Sequence, residues 1–528
     1  MKKLSLLYPP GHESVSALSL GNTASELGLV SLGLEWERYF TDDEQTIKYR
    51  EELFSDILTH PALSEMFEYL AEQLSAVDEL RKIPDSASDN ESQLYAIKEV
   101  ELYIDLITNA YTRLNEFSDS LSSRAVLSLY GYLKDVYQSE EFTSLKNGVG
   151  QLEFSVKNIR SLTVGINLDA SLFPYEAGIV SINDEYFRSG DILSRFMRMD
   201  SSNEMTTLVP LSAVSKAMSK KERQVSNIAF GGTIVKIVGG NFRSWRKMLN
   251  TYFSLGTMHI VELLPEVKFI NRATKMLEAI RAAGLPLCTP QVCPKEEKRF
   301  EAKGLYNPVN AVDLRSLDAE CRIVPNDITF DENGMLYVLT GPNQGGKSIF
   351  VKAVGIAQLM FGLGLPVAAK SISLSPVNRI FTRFQTNSGN SVDRSRFGEE
   401  CAHLQKMMSE VSAHSLIIMD EILSSTDSSE AQVIAQEILT ALSVIGCRGI
   451  LATHLHGLSQ KVPEINSYGN TLSKTDNLVM GIDGKERTYL VSRRPPDGKS
   501  YARDISEKYG LSIEKILSAN NNYRSTKV

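Results

Sequence analysis

Apolar residues recur at spacings of three and four from about Tyr39 to Tyr137, most clearly over Glu51 to Leu74 and Gln93 to Leu133, with few Gly or Pro between them. That period belongs to one face of an α-helix, so long helices are predicted. The stretch Ile83-Pro-Asp-Ser-Ala-Ser-Asp-Asn90 separates two of them, because Pro, Asp, Ser and Asn stop a helix and solvate its backbone. Near Gly148 the pattern changes. Leu152 to Leu168 and Gly178 to Ile182 carry β-branched residues in partial alternation, separated by Asp169, Pro174 and Gly178, which predicts a small β-rich element. Helical texture returns from about Asp191 to Leu255, Met258 to Ala282 reads as a further helix, and the block ends near Gly284 to Pro294. Beyond it, Met335 to Thr340, Leu416 to Met419 and Gly449 to Ala452 are short apolar runs of the kind that form buried strands.

Composition narrows the class without naming a function. A chain of 528 residues is too long for one ordinary domain, and 42% hydrophobic with 23% charged residues is a globular composition, not a fibrous or disordered one. The formal charge of −8, from 56 Lys plus Arg against 64 Asp plus Glu, excludes a uniformly basic surface, so any contact with nucleic acid must be local. One local excess exists between Leu211 and Asn250: Lys216, Lys220, Lys221, Arg223, Lys236, Arg243, Arg246 and Lys247 stand against Glu222 alone, with Phe230, Phe242 and Trp245 among them. Such a stretch can follow a phosphate backbone, since cations displace condensed counterions and aromatics stack on bases. A solvated helix face is the other reading. Pro9 and Pro10 end the first apolar stretch, Leu4 to Leu7, before a signal-peptide core forms, and no run reaches the roughly 18 apolar residues of a membrane span, so a cytoplasmic location is expected. Five cysteines, an odd number, read as reduced thiols; Cys288 and Cys293 form the only close pair, lack a second Cys or His pair, and are taken as structural.

The candidate chemistry begins where the strand Met335 to Thr340 runs into Gly341-Pro-Asn-Gln-Gly-Gly-Lys-Ser348, a match to G-x-x-x-x-G-K-[ST]. Glycines let backbone N–H groups close around phosphates, Lys347 reaches the β and γ oxygens, and Ser348 ligates magnesium. The helix predicted over Ile349 to Leu363 aims its positive end at the same place. Gly341, Pro342, Asn343, Gln344, Gly345, Gly346, Lys347, Ser348 and Ile349 are therefore the candidate nucleotide-binding residues. The strand ending in Asp420-Glu421 puts Asp420 beside the magnesium and leaves Glu421 to polarise water for attack on the γ-phosphate. A third strand runs into Thr453-His454, and His454 is the candidate sensor of that phosphate.

Thr340 to Ser348, Asp420-Glu421 and Ala452-Thr453-His454 together resemble the ATPase motifs of the MutS family. Phe381-Thr382-Arg383 resembles the family's strand after the first helix, Ser500-Tyr501-Ala502 with Gly510-Leu511-Ser512 resembles its small helical dimerisation tail, and the neighbourhood of Gly165 to Asp169 is a weaker match to its lever and clamp. The resemblance implies ATP and Mg2+ as cofactors, DNA as a partner and a homodimer in which Ser395 reaches the partner's nucleotide in trans. Two departures stand out. The family's Ser-Thr-Phe signature appears as Ser395-Arg396-Phe397 with Glu400 following, and Ile422-Leu-Ser-Ser-Thr426-Asp427 lacks the family's Gly-Arg-Gly run. Mismatch-recognising members carry a Phe-x-Glu wedge in an N-terminal domain, whereas here Phe330-Asp-Glu332 and Phe397-Gly-Glu399 lie in or beside the ATPase.

The fold expected is multidomain: a mainly α-helical lever with a small β-rich clamp-like insert, then an α/β P-loop ABC-like ATPase domain with a C-terminal helical tail. The expected segments are an extension over 1–34, the helical lever over 35–147 and 191–290, the β-rich insert over 148–190, the ATPase over 291–495 and the tail over 496–528. The function expected is an ATP hydrolase that clamps structured or branched DNA rather than single mismatches. A transporter-type or chromosome-type ATPase would need a Ser-Gly-Gly-Gln signature or long coiled coils between Lys347 and Asp420, and neither is present. A nucleotide-switched ATPase that holds a protein instead of DNA stays open, and the overall acidity favours it.

Overall fold

A computed structural model describes residues 4–10, 23–29, 36–81, 89–150, 160–171, 173–186, 188–189, 206–207, 252, 258–282, 284–316, 323–342, 344–384, 393–483, 486–496 and 513–519. In chain order the longer helices are α1 (Glu44–Thr59), α2 (Pro61–Arg81), α3 (Asp89–Phe117), α4 (Arg124–Gln138), α5 (Glu140–Gly150), α6 (Leu264–Ala282), α7 (Lys347–Gly362), α8 (Asp393–Glu410) and α9 (Ser428–Ile445). The strands are β1 (Ser161–Leu168), β2 (Pro174–Asn183), β3 (Arg188–Ser189), β4 (Thr206–Thr207), β5 (Gln291–Val292), β6 (Phe300–Leu305), β7 (Asn326–Phe330), β8 (Leu336–Thr340), β9 (Ser371–Leu374), β10 (Arg379–Arg383), β11 (Ser415–Asp420), β12 (Arg448–Ala452), β13 (Thr475–Asp483) and β14 (Glu486–Arg493). The chain divides into two compact units: one comprises residues 1–4, 62–121 and 126–268, the other 5–61, 122–125 and 269–528.

The first unit is helical with a β-hairpin. Its helices bury Leu70, Leu74, Val77, Leu106, Ile107, Leu114 and Leu129, the apolar stripe that the three-and-four spacing marks. Helix did not run unbroken from Gln93 to Leu133: α3 ends at Phe117, and Leu121 resumes in extended backbone before α4. Arg81 at the end of α2 donates to Glu99 Oε1 at 2.5 Å and to the Tyr252 hydroxyl at 3.0 Å, so the buried Glu99 carboxylate of α3 is matched by a cation. The hairpin pairs β1 with β2 antiparallel. Pro174 and Gly178, which read as separators, lie at the start of and within β2; the turn is instead made by Asp169, whose carboxylate accepts the N–H groups of Ser171 and Phe173. The helical texture expected over 191–255 falls, apart from β4 and Tyr252, outside the described residues.

The second unit holds two sheets. Six strands lie in the order β10-β11-β12-β8-β13-β14, all parallel except β14, which pairs antiparallel with β13. A four-stranded sheet has the order β5-β9-β6-β7. Every residue of β8, β11 and β12 is buried, as expected for parallel strands covered on both faces. Helix α7 is buried along nearly its whole length, matching a sequence of Phe, Val, Ala, Ile, Leu and Met on all sides. Helices α8 and α9 close another part of the core, where Leu404 and Met407 meet Met419, Ile422, Leu423, Ala435 and Leu439.

Residues 35–61, helical in texture, share this unit with the sheets. Phe40 lies so close to the end of α7 that a Cβ on Gly362 would meet its ring at 2.2 Å, and Thr41 N–H donates to the Gly362 carbonyl at 3.0 Å. Arg50, fully buried, donates from Nε to the Leu7 carbonyl at 2.8 Å and from its guanidinium to that of Tyr39, and rests on the Tyr8 ring. The short helix Thr23–Glu26 borders β10, with the Thr23 hydroxyl donating to the Ile380 carbonyl at 2.8 Å. No helix among the described residues is long and apolar enough to cross a membrane.

Candidate functional site

The parallel strands bring three sequence-distant segments to one edge. The carboxyl ends of β8, β11 and β12, which are neighbours in the sheet except that β12 lies between the other two, release Gly341, Glu421 and Thr453 side by side. This edge is where parallel α/β sheets present their loops for binding.

Between β8 and α7 the chain makes a tight loop. Gly346, at φ +91°, begins the helix, and Gly341 sits at φ +148°, where a Cβ would meet Met480 at 2.7 Å; both positions require glycine. Lys347 is buried, and its Nζ donates to the carbonyls of Gly341 at 3.1 Å and Pro342 at 3.3 Å, folding the loop over its own first helical residue. The free N–H groups at the start of α7 make this end of the helix attractive to an anion. Burial holds the Lys347 ammonium below its ordinary value, while Glu421 and Asp420 pull it back up. Gln344, at φ +58°, is exposed and accepts a hydrogen bond from Arg487 at 3.3 Å. Ser348 and Ile349 are exposed at the helix start. Asn343 lies outside the described residues.

Asp420 ends β11 buried. Its carboxyl is raised above the ordinary range by burial; the hydrogen bond to the Ser348 side chain opposes this, Glu421 adds to it, and Lys347 and His454 oppose it. Oδ1 has no hydrogen-bond partner among the described residues. A buried carboxylate oxygen without a partner, next to a hydroxyl, is a donor set that suits a hard divalent cation. Ser348 and Asp420 therefore fit the magnesium role expected of them.

Glu421 leaves the strand at φ +54°, and its N–H donates to the Ala452 carbonyl at 2.9 Å. The turn directs its side chain at His454, whose Nε2 lies 2.5 Å from Glu421 Oε1 and 3.5 Å from Lys347 Nζ. With Glu421 ionised, so short a contact has Nε2–H donating to the carboxylate. The three residues read from the sequence as catalytic thus come together: Glu421 and His454, both partly open to solvent, share a hydrogen bond, and the Lys347 ammonium lies 3.5 Å from the same His454 nitrogen without bonding to it.

Ser395 falls within the backbone of α8, and its side chain is not described. The eight cations between 211 and 250 lie outside the described residues. Several neighbours of the loop escaped the sequence reading. The β13–β14 hairpin brings Met480 against Gly341 and Gly346, and Tyr489 against Gly346. Tyr489 stands at φ +58° in a bulge pinned by Asn326, which donates to the Tyr489 carbonyl at 3.0 Å and accepts from Val491 N–H at 2.6 Å. A left-handed tyrosine carries no local sequence signal, since its conformation comes from the pairing of β14 and the distant Asn326.

A scan of family models matches MutS domain V over residues 337–522. The chain is also similar to endonuclease MutS2 of Streptococcus agalactiae serotype Ia, 32% identical over 191 residues, which are 36% of this chain and 24% of that protein. A comparable match is to endonuclease MutS2 of Thermus thermophilus, 31% identical over 179 residues, 32% of this chain and 24% of the relative. The chain thus covers about a quarter of the length of these relatives.

Proposed function

We propose, from the chain's membership of the MutS family through residues 337–522, that it is an ATP hydrolase whose nucleotide state governs its hold on structured or branched DNA. The observation that carries the reading is the meeting of Lys347, Glu421 and His454 at the carboxyl edge of the parallel sheet, beside Asp420. In this reading 341–349 form a P-loop: its N–H groups and the buried Lys347 bind the phosphates, and Lys347 offsets negative charge as the terminal phosphate is transferred. Ser348 and Asp420 would hold magnesium, which when bound would supply further neutralisation of the phosphate oxygens. Glu421 takes the proton of the attacking water. His454, bonded to Glu421, orients that carboxylate and senses the phosphate through its neighbour Lys347.

The remaining parts of the reading are carried by family likeness. The helical unit serves as a lever and the β1–β2 hairpin region as a clamp; the basic stretch around Lys220, Lys221 and Arg246 contacts phosphates; two copies pair through the C-terminal tail, with Ser395 completing the partner's site. A nucleotide-switched protein-binding ATPase is the second reading, favoured by the net charge of −8.

ATP hydrolysis by the purified chain, with and without duplex, mismatched and four-way-junction DNA, tests both. Turnover altered by junctions and not by mismatches supports the first reading; robust turnover indifferent to every DNA, with no binding at low salt, supports the second. Glu421→Gln is expected to retain ATP and lose turnover by about 10²-fold or more, and an active Glu421→Gln enzyme removes the assigned role.

A further inference from the structure

Glu400 is a buried carboxylate on α8, and both of its oxygens are engaged by the turn that follows Glu421. Oε1 accepts the N–H of Leu423 at 2.7 Å, and Oε2 accepts the hydroxyl of Ser425 at 3.2 Å. That turn is costly for the backbone: Glu421 and Leu423 both stand in the left-handed region, at φ +54° and +61°, without being glycine. It persists because its neighbours over-determine it. The side chains of Ile422 and Leu423 are locked in the core shared with Leu404 and Met407 of α8, the Glu421 N–H is tied to β12, and the buried Leu423 N–H finds its acceptor in Glu400.

We propose that Glu400 is a positioning residue for Glu421: by holding the middle of this turn, it makes the placement of α8 a determinant of where the Glu421 carboxylate points. Helix α8 begins at Asp393, so a displacement of its first turns is passed toward Glu421 through the two hydrogen bonds of this carboxylate, beside the apolar contacts of Leu404 and Met407. The proposal deepens the ATPase reading and rests on it for its kinetic consequence, whereas the hold on the turn is testable without nucleotide turnover.

The test uses the full chain as Glu400→Gln, which keeps one carbonyl acceptor for Leu423 N–H, and as Glu400→Ala, which keeps none. Steady-state ATP hydrolysis is measured beside hydrogen exchange of the peptide spanning residues 418–428. In Glu400→Ala, kcat is expected to fall by roughly 30-fold with KM for ATP changed less than about threefold, since transition-state alignment is lost and ground-state binding is not. In Glu400→Gln the loss is smaller, about three- to tenfold, because a neutral acceptor replaces a charged one. Exchange in the 418–428 peptide rises in the same order while the rest of the sheet keeps its protection. A KM rise without a kcat loss, or unchanged kcat, overturns the proposal. If Glu400→Ala does not fold, the near-isosteric Glu400→Gln decides on the same two readouts. If the parent lacks ATP turnover, the ATPase reading fails on its own, and unchanged exchange in Glu400→Gln then overturns the positioning role separately.

Discussion

Glu51 shows how much one buried carboxyl can impose. It lies buried on α1, and its Oε1 has no hydrogen-bond partner among the described residues. Burial pushes its carboxyl up from the ordinary 4.5 to about 8; Lys48 opposes the rise and Glu52 adds to it. Between those two values the unfolded chain has released a proton that the folded chain keeps, so stability falls as pH rises through this window and is level above it. Glu51→Gln, which removes the charge and keeps the shape, is expected to gain on the parent from pH 4.5 upward. The gain levels near pH 8 at on the order of a few kcal/mol. Chemical denaturation at pH 4 and pH 8 checks this: an equal difference at both places the cause elsewhere. At this scale the sequence was legible where chemistry sits in a local pattern. Lys347, Ser348, Asp420, Glu421 and His454 are marked by spacing and by the strands before them. Glu51, Tyr489 and Asn326 are not, because their environment comes from residues far away in the chain.

Among elements, apolar runs announced β8, β11 and β12 because strands covered on both faces need no alternation. The long helices were legible from their period. What escaped was the use made of the N-terminal segment, whose short helix Thr23–Glu26 has too few residues for any period to show. That helix guards an edge: β10 is the last strand of its sheet, the Thr23 hydroxyl bonds its Ile380 carbonyl, and buried Leu27 approaches α7 so closely that a Cβ on Gly355 would come within 3.0 Å of it. An unguarded edge strand invites pairing with other chains. Leu27→Asp, which places a charge in that contact, is expected to loosen the guard at a cost of about 3 kcal/mol. Light scattering across a concentration series should then show association beyond that of the parent; a variant with the parent's mass distribution would show that β10 has other protection.

For the whole molecule, an acidic chain that grips DNA must do so through a confined surface, and the proposed one is the basic stretch over 211–250. The triple variant Lys220→Glu/Lys221→Glu/Arg246→Glu is expected to weaken DNA binding at least about tenfold at low salt and to flatten its salt dependence, since each lost phosphate contact removes counterion release. Unchanged affinity would move the contact elsewhere. No spacing or period in the chain foretold that the sheet-bearing unit takes in residues 5–61, because this depends on long-range packing such as that of Phe40 and Arg50. The order of the central sheet has a further consequence, in the time domain of folding. Strand β8, which carries the glycine-rich loop, pairs on one side with β12 and on the other with β13, both far downstream. During synthesis β8 therefore waits, apolar and unpaired, until nearly the whole second unit has emerged, and non-local pairing of this kind closes slowly. Met480 of β13 packs against Gly341 and Gly346 of the loop, so the proposed capture of nucleotide belongs to the finished fold and would report that folding is complete.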